Sequence, residues 1–309
     1  MKLVINIPCL NEEENLPRVL DEIPKEIKGA DYIEVQVVDD GSTDNTSEVA
    51  RKYGASVIRH KKNLGLGTAF KHGLEAALES GADIFVNTDA DNQYPSRYIA
   101  DLVKPIVEGE ADIVIGNREP WKVKHFSPVK RILQFFGNMF TRFVAGSEVM
   151  DTVSGFRAYS REAMLKLNIT TKFSYVLDTI VQAEHKGMVI KSIPIETNPP
   201  VRKSRLFKNI FQHIYKSAVN LLRCYVIYEP FKTFLWMTAV FLAPALFLLL
   251  RFFLIYKAAG HIQSLVVASF MFALSGIMFS LGIIGEILAM NRKLNEEELY
   301  LYRKEIYKK

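Results

Sequence analysis

Two stretches toward the C-terminal end of the 309-residue chain carry no charge: Phe234 to Leu250, stopped by Arg251, and Leu265 to Gly285, stopped by Glu286. In hydrocarbon every backbone N–H and C=O must be satisfied within the protein, so such stretches have to be helical, and roughly 20 apolar residues suffice to cross a bilayer. With their apolar flanks, including "FFLIY" after Arg251, they predict two transmembrane helices over 231–256 and 262–287, joined as a hairpin. Pro244 lies inside the first, where a neighbouring helix can absorb a kink.

Charge is placed around these spans rather than spread evenly. Lys203, Arg205, Lys208, Lys216 and Arg223 precede them, Arg292, Lys293, Arg303, Lys304, Lys308 and Lys309 follow, and the linker holds only Lys257 and His261. The positive-inside rule puts both flanks in the cytoplasm, and with them both termini and the N-terminal domain. Residues 206–228 place Leu206, Ile210, Ile214, Leu221 and Tyr225 near one helical face, with Lys208, Gln212, Lys216 and Arg223 largely off it. That pattern reads as an amphipathic helix in the membrane interface over 206–230, a docked domain helix being the alternative. A charged tail, 291–309, reads as a short surface helix. The formal net charge of +5 is too small, and too free of basic runs interleaved with aromatics, to suggest nucleic acid. Cys9 and Cys224 stand alone, which argues against a disulfide framework and a thiol metal site. "MKLVINIP" is interrupted too soon for a signal peptide and reads as a first strand.

Up to about residue 205 the pattern changes. Short β-branched runs, at 3–7, 33–38, 55–59, 82–88 and 111–116, alternate with helical periodicity at 12–28, 44–53, 66–80 and 96–108. The alternation predicts an α/β domain with a mainly parallel sheet, whose ligands gather at the carboxyl ends of the strands.

Two such ends are acidic. "NTDADNQYP" puts Asp89, Asp91 and Gln93 at alternate positions, where in extended chain they point to one side and can share a cation. With no His or Cys in the motif the ion would be hard, Mg²⁺ or Mn²⁺, completed by substrate phosphates; the same residues are also ordinary turn formers. "VVDDGSTDNT" puts Asp39 and Asp40 at the mouth of the sheet, suited to a nucleobase or ribose, with Asp44 placed to cap the next helix. In "IPCLNEEENL" Asn11 can cap a helix whose first turn Glu12, Glu13 and Glu14 favour. "NLGLGTAFKHG" lacks the third glycine of a dinucleotide fingerprint, Phe70 standing in its place, so Gly65 and Gly67 shape a turn instead.

Taken in order, "NEEENL", "VVDDGSTDNT", "NLGLGTAFKHG", "DADNQYP" and "DTVSGFRAYSR" resemble the family 2 glycosyltransferases over residues 1 to about 200. The resemblance implies a GT-A nucleotide-sugar-binding fold. One catalytic domain, over 1–205, followed by interfacial helices and two spans is most similar to the polyprenyl-phosphate glycosyltransferases, including dolichyl-phosphate mannose and glucose synthases. It implies that Pro8, Asn11, Glu12, Asp39, Asp40, Gly65, Lys71 and Asp89 line the nucleotide-sugar pocket, with Ser154 and Arg157 of "SGFR" shaping the sugar site. Asp89, Asp91 and Gln93 would hold Mg²⁺ or Mn²⁺. Arg118, Arg131 on a helix over 128–145, and Arg202, Ser204 and Arg205 of a basic loop would meet the acceptor phosphate, and Asp178 stands where relatives carry an acid. The chain departs from the pattern at Pro8–Glu12, "PCLNE" for "PTYNE", and at "DADNQYP" for "DADLQHP". These differences leave the sugar and the choice of UDP or GDP open, with a lean toward a UDP-hexose.

The expected partners are therefore a nucleotide sugar, a polyprenyl or dolichyl phosphate and a lipid bilayer; a homo-oligomer is compatible with the sequence. Three rivals remain. A processive polysaccharide synthase would carry QxxRW, whereas neither Trp121 nor Trp236 follows an arginine. A sugar nucleotidyltransferase would need a glycine-rich basic loop where "PCLNEEE" stands. A membrane-anchored enzyme with another acceptor, or a non-catalytic nucleotide-sugar sensor or scaffold, would differ in what it turns over.

Overall fold

The structure, a computed structural model, describes residues 1–119, 139, 142, 149, 151–171, 175–199, 219, 222–255 and 262–308. Arg131, Arg202, Ser204 and Arg205 lie outside these residues, as do most of 128–145 and 206–228; within the latter, 222–228 is helical.

The chain opens as a Rossmann-like run of alternating elements: β1 (Lys2–Cys9), α1 (Leu16–Glu22), β2 (Tyr32–Asp39), α2 (Thr46–Lys52), β3 (Ser56–Arg59), α3 (Leu66–Glu79), β4 (Ile84–Asn87), α4 (Ile99–Val107) and β5 (Ile113–Asn117). Then follow β6 (Arg157–Ser160), α5 (Arg161–Lys166), α6 (Tyr175–His185) and β7 (Ile190–Pro194). They form one seven-stranded sheet in the order β3-β2-β1-β4-β6-β5-β7. Only β6 runs antiparallel to its neighbours, β4 and β5. The α/β domain with a mainly parallel sheet is thus present, and β6 and β7 add two strands that the hydrophobic pattern did not announce.

Strand β1 is buried along most of its length because both faces are covered, as parallel strands require. Leu3, Ile5 and Ile7 join a core with Leu16 and Val19 of α1 and Ile99, Leu102 and Val103 of α4. On the other face lies a polar row in direct cross-strand register: Gln36 beside Asn6, Asn6 beside Asn87, Asn87 beside Arg157. All four are buried. Their amides bond one another, Gln36 Nε2 donating to Asn6 Oδ1 at 2.8 Å and Asn6 Nδ2 to Asn87 Oδ1 at 2.8 Å. Gln36 also donates to Gly73 O on α3 at 2.9 Å. A Cβ at position 73 would fall 2.3 Å from Asn6 Oδ1, so glycine is what lets α3 close over the row.

Two compact units result, Met1–Ile214 with Leu299–Lys309, and Tyr215–Glu298. The second holds α7 (Pro230–Ile255, 26 residues) and most of α8 (Ile262–Ile306, 45 residues). Both are long and apolar enough to cross a membrane, with mean hydropathy of 2.2 and 2.1 over their apolar windows. α7 passes through Pro244 without a break. Ala268, Ser275, Gly282 and Ala289, seven residues apart, are the buried positions of α8, the small-residue seam that brings helices close in lipid. A Cβ on Gly282 would meet Phe234 at 3.2 Å, and Ser275 Oγ donates to Thr238 O at 3.3 Å. Large side chains face outward, Trp236 at 71% and Leu254 at 73% exposure. The tail expected as a separate short helix is instead the continuation of α8. In the first unit its last turns dock on α5: Tyr300 OH donates to Glu162 Oε1 at 2.9 Å and Arg303 Nη1 to Leu167 O at 2.7 Å.

Candidate active site

The acidic strand ends come together because β1, β2 and β4 are neighbours and parallel. Their loops are stitched to one another. Asn11, at φ 57°, donates its N–H to Ser42 Oγ at 2.9 Å and accepts from Thr43 N at 2.8 Å. Its side chain is therefore committed to the "DDGST" loop and caps no helix; α1 begins after Asn15. Glu12, buried, accepts from Asn15 Nδ2 at 2.9 Å, while Pro8 is half-buried at the end of β1. Asp44 Oδ1 accepts from Thr46 N at 3.1 Å, but the N-cap position of α2 is Asn45, so Asp44 lies one residue before the cap expected of it.

Asp39 and Asp40 turn inward. Asp39, with no exposed surface, accepts from Ser42 N at 2.7 Å and from Ser47 Oγ, and pairs with Arg59 Nε at 3.6 Å. Burial raises its pKa, but those hydrogen bonds and the Arg59 charge outweigh burial and hold the carboxyl below its usual value. Asp40 accepts from Leu64 N at 2.8 Å and Gly65 N at 2.9 Å, and its Oδ1 lies 2.7 Å from His60 Nδ1. His60 Nε2 in turn lies 2.8 Å from His72 Nδ1 on α3. These carboxylates fasten the loops that precede α2 and α3. Lys71, also on α3, pairs with Glu75 at 3.8 Å.

Asp89 is different. Among the described residues no hydrogen bond reaches its carboxylate, although burial pushes its pKa up to about 7, with the Asp91 charge adding to the rise and Arg118 opposing it. Asp91 accepts from Gln93 N at 3.1 Å and Gln93 Nε2 at 2.5 Å, which leaves Gln93 Oε1 as an acceptor. Two carboxylates and an amide oxygen pressed together, one of them without a donor, are a donor set for a hard divalent cation. No group of three or more His, Cys, Asp or Glu side chains suited to a metal occurs among the described residues. A cation at Asp89, Asp91 and Gln93 would thus need further oxygens from a ligand.

Arg118 leaves the end of β5 and is gripped by Asp151, Nε to Oδ2 at 2.6 Å and Nη2 to Oδ1 at 2.8 Å, its backbone N–H adding a third bond at 3.1 Å. Asp151 has no exposed surface and its pKa is lowered, the Arg118 charge and hydrogen bonds overcoming burial. Sequence reasoning did not single out Asp151, although it opens "DTVSGFR". Arg157 is enclosed, donating to Ser154 O, Val176 O, Thr179 Oγ1 and Thr152 O. It fixes the loop before β6 to α6 rather than reaching outward, with Ser154 enclosed in that loop. Asp178 is buried in the first turn of α6. The segment after β7 is tied to the metal-type loop, Asn198 donating through N to Gln93 O at 3.0 Å and through Nδ2 to Asn92 O at 2.9 Å.

The family model described as glycosyl transferase family 2 matches residues 4–167. The dolichol-phosphate mannosyltransferase of Pyrococcus furiosus is 31% identical over 230 residues, covering 70% of this chain and 63% of that protein. The UDP-N-acetylglucosamine–dolichyl-phosphate N-acetylglucosaminyltransferase of Methanococcus voltae is 28% identical over 213 residues, covering 62% and 83%. Among solved structures, glucosyl-3-phosphoglycerate synthase from Mycobacterium tuberculosis with Mn²⁺ and UDP-glucose is similar in fold, with TM-score 0.56 and 21% identity over 72% of this chain and 78% of that one. An α/β sheet that gathers acidic loops at its carboxyl edge, with more than half the chain matching the family model, makes this protein a member of glycosyl transferase family 2.

Proposed function

We propose that the protein transfers a hexose from a nucleotide sugar to the phosphate of a polyprenyl or dolichyl phosphate at the cytoplasmic membrane face, inverting the anomeric centre and yielding a lipid-phosphate sugar donor for glycosylation. The observation that carries this reading is the half-buried Asp89 carboxylate, which receives no hydrogen bond from the described residues and lies near the charges of Asp91 and Arg118, in a family 2 chain that also has two helices of membrane-spanning length. The names of the two dolichyl-phosphate relatives support the acceptor.

Asp89, Asp91 and Gln93 would hold Mg²⁺ or Mn²⁺, which would supply positive charge for the departing nucleoside diphosphate. Pro8, Asn11, Glu12, Asp39, Asp40, Gly65 and Lys71 would shape the nucleotide side of the pocket. Arg118 presents a fork of donors held in place by Asp151, suited to a phosphate oxygen. Arg202, Ser204 and Arg205 follow Asn198, which is bonded to the Asn92–Gln93 backbone. With Arg131 they would offset the charge of two anionic substrates. The acceptor phosphate is itself anionic at neutral pH and attacks without a strong general base, which leaves Asp178 to orient sugar or acceptor, with the Ser154–Arg157 loop behind the sugar. The basic flanks of α7 and α8 support, by the positive-inside rule, a two-span arrangement with both termini and the catalytic unit in the cytoplasm.

The test is a lipid-extraction assay: full-length protein in detergent, Mn²⁺ or Mg²⁺, dolichyl phosphate, and labelled UDP-glucose, UDP-N-acetylglucosamine or GDP-mannose supplied separately. Label entering the organic phase with one donor, a UDP-hexose being expected, supports the reaction and names the sugar. Tight binding of a donor with no label transferred would favour another acceptor or a sensor.

A further inference from the structure

The buried amide row ends against the candidate metal site. Asn87, two residues before Asp89, uses its whole side chain: Oδ1 accepts from Asn6, and Nδ2 donates to Tyr175 OH at 2.7 Å and Gly155 O at 3.2 Å. Tyr175 OH also donates to Gly155 O, at 3.1 Å. Two independent donors therefore converge on one carbonyl, filling both its lone pairs. The tyrosine ring has no room to swing, since it is fully buried and stacked on Phe70 with centroids 3.8 Å apart and planes 2° from parallel. The pinned residue, Gly155, faces Asp89: a Cβ there would stand 3.3 Å from Asp89 Oδ1, 3.5 Å from Oδ2 and 3.2 Å from Tyr175 OH. No hydrogen bond from the described residues holds the Asp89 carboxylate, and the Gly155 backbone bounds the space it occupies on that side.

We propose that Asn87, Tyr175 and Gly155 form a backstop that sets the position of the Asp89 carboxylate, and with it the affinity of the site for a divalent cation carrying a nucleoside diphosphate. Asn87 and Tyr175 are positioning residues: they touch no substrate and act through the Gly155 backbone. Through Asn6 and Gln36 the same hydrogen-bond chain is anchored on Gly73 of α3. The inference rests on reading Asp89 as a metal ligand.

Two substitutions test it in the full-length protein in detergent. Gly155→Ala inserts a methyl between the hydroxyl and the carboxylate; Tyr175→Phe removes the hydroxyl and keeps the ring stack. Mn²⁺ binding is followed by electron paramagnetic resonance at saturating UDP or GDP, whichever the wild type binds more tightly. Metal-free nucleotide affinity and melting temperature are measured alongside. Mn²⁺ affinity should fall by about 10- to 100-fold in Gly155→Ala and by about 10-fold in Tyr175→Phe, as for residues behind a metal ligand, while metal-free nucleotide affinity stays unchanged. Wild-type Mn²⁺ affinity in both folded variants overturns the proposal, as does a parallel loss of metal-free nucleotide binding and melting temperature, which marks a general structural role. If Gly155→Ala does not fold, Tyr175→Phe decides alone. A wild type that binds no Mn²⁺ with nucleotide overturns both the backstop and the metal reading; one that binds Mn²⁺ but transfers no sugar to lipid phosphate fails only the proposed function.

Discussion

Two strands each end in a pair of acids, adjacent after β2 and two positions apart after β4, and the two pairs are treated oppositely. At the end of β2, Asp39 and Asp40 are saturated by Ser42, Ser47, Arg59, His60 and the backbone of Leu64 and Gly65. At the end of β4, Asp89 has no such donor among the described residues and Asp91 has only Gln93. A buried carboxylate with its own donors is part of the scaffold; one without them carries an unmet desolvation cost that a cation can relieve. What separates site from scaffold here is the partners each acid has, more than the acids themselves.

Breaking the second pair should have the largest effect. Asp89→Ala and Asp91→Ala should each lower sugar transfer by about a thousandfold or more, with the melting temperature unchanged or raised because a buried repulsion is removed. Full activity in either variant would end the contrast. Next comes Asp39→Ala, which orphans Ser42 N and Ser47 Oγ at about 1–3 kcal/mol for each buried group; denaturant unfolding measures it. Wild-type stability with lost donor binding would make Asp39 a ligand group after all. The contrast sharpens in acid. Because the Asp39 pKa is held low, its stabilising contribution is complete above the ordinary carboxylate value and is lost as pH falls through the lower folded value. Stability should therefore fall more steeply in wild type than in Asp39→Asn, by at most about 1.4 kcal/mol per pH unit. The smallest effect calibrates the scale: Tyr300→Phe removes the hydrogen bond to Glu162 and the exposed one from Lys304 and should cost about 0.5–1.5 kcal/mol by thermal unfolding.

The architecture was legible where hydrophobic runs are long or periodic. The first five strands and the two apolar helices announce themselves because apolar residues dominate their sequences, even where Asn6, Gln36 and Asn87 interrupt the strands. β6, "RAYS", holds only two apolar-bodied residues, and its antiparallel insertion between β4 and β5 is a choice of partner made between distant segments. The first helical pattern overran its helix, which ends at Glu22 just before Pro24. α8 continued past its apolar stretch because nothing from Glu286 to Lys308 is Gly or Pro; a change of solvent does not end a helix. Of the site, the acid pairs could be read directly. Their partners could not, since Asp40 is satisfied from His60, Leu64 and Gly65 and Arg118 from Asp151, across loops that only the fold brings near. Buried amides at Asn6, Gln36 and Asn87 were a signal available in the strands, polar side chains at central positions needing partners.

The docking of Tyr300 and Arg303 on Glu162 and Leu167 also orders events in time. A ribosome that has finished residue 214 has delivered the whole seven-stranded sheet but not the unit it belongs to, whose last piece, Leu299–Lys309, is synthesised only after both apolar helices. The surface of α5 that Tyr300 covers therefore waits, during every round of synthesis, until both long apolar helices have been made.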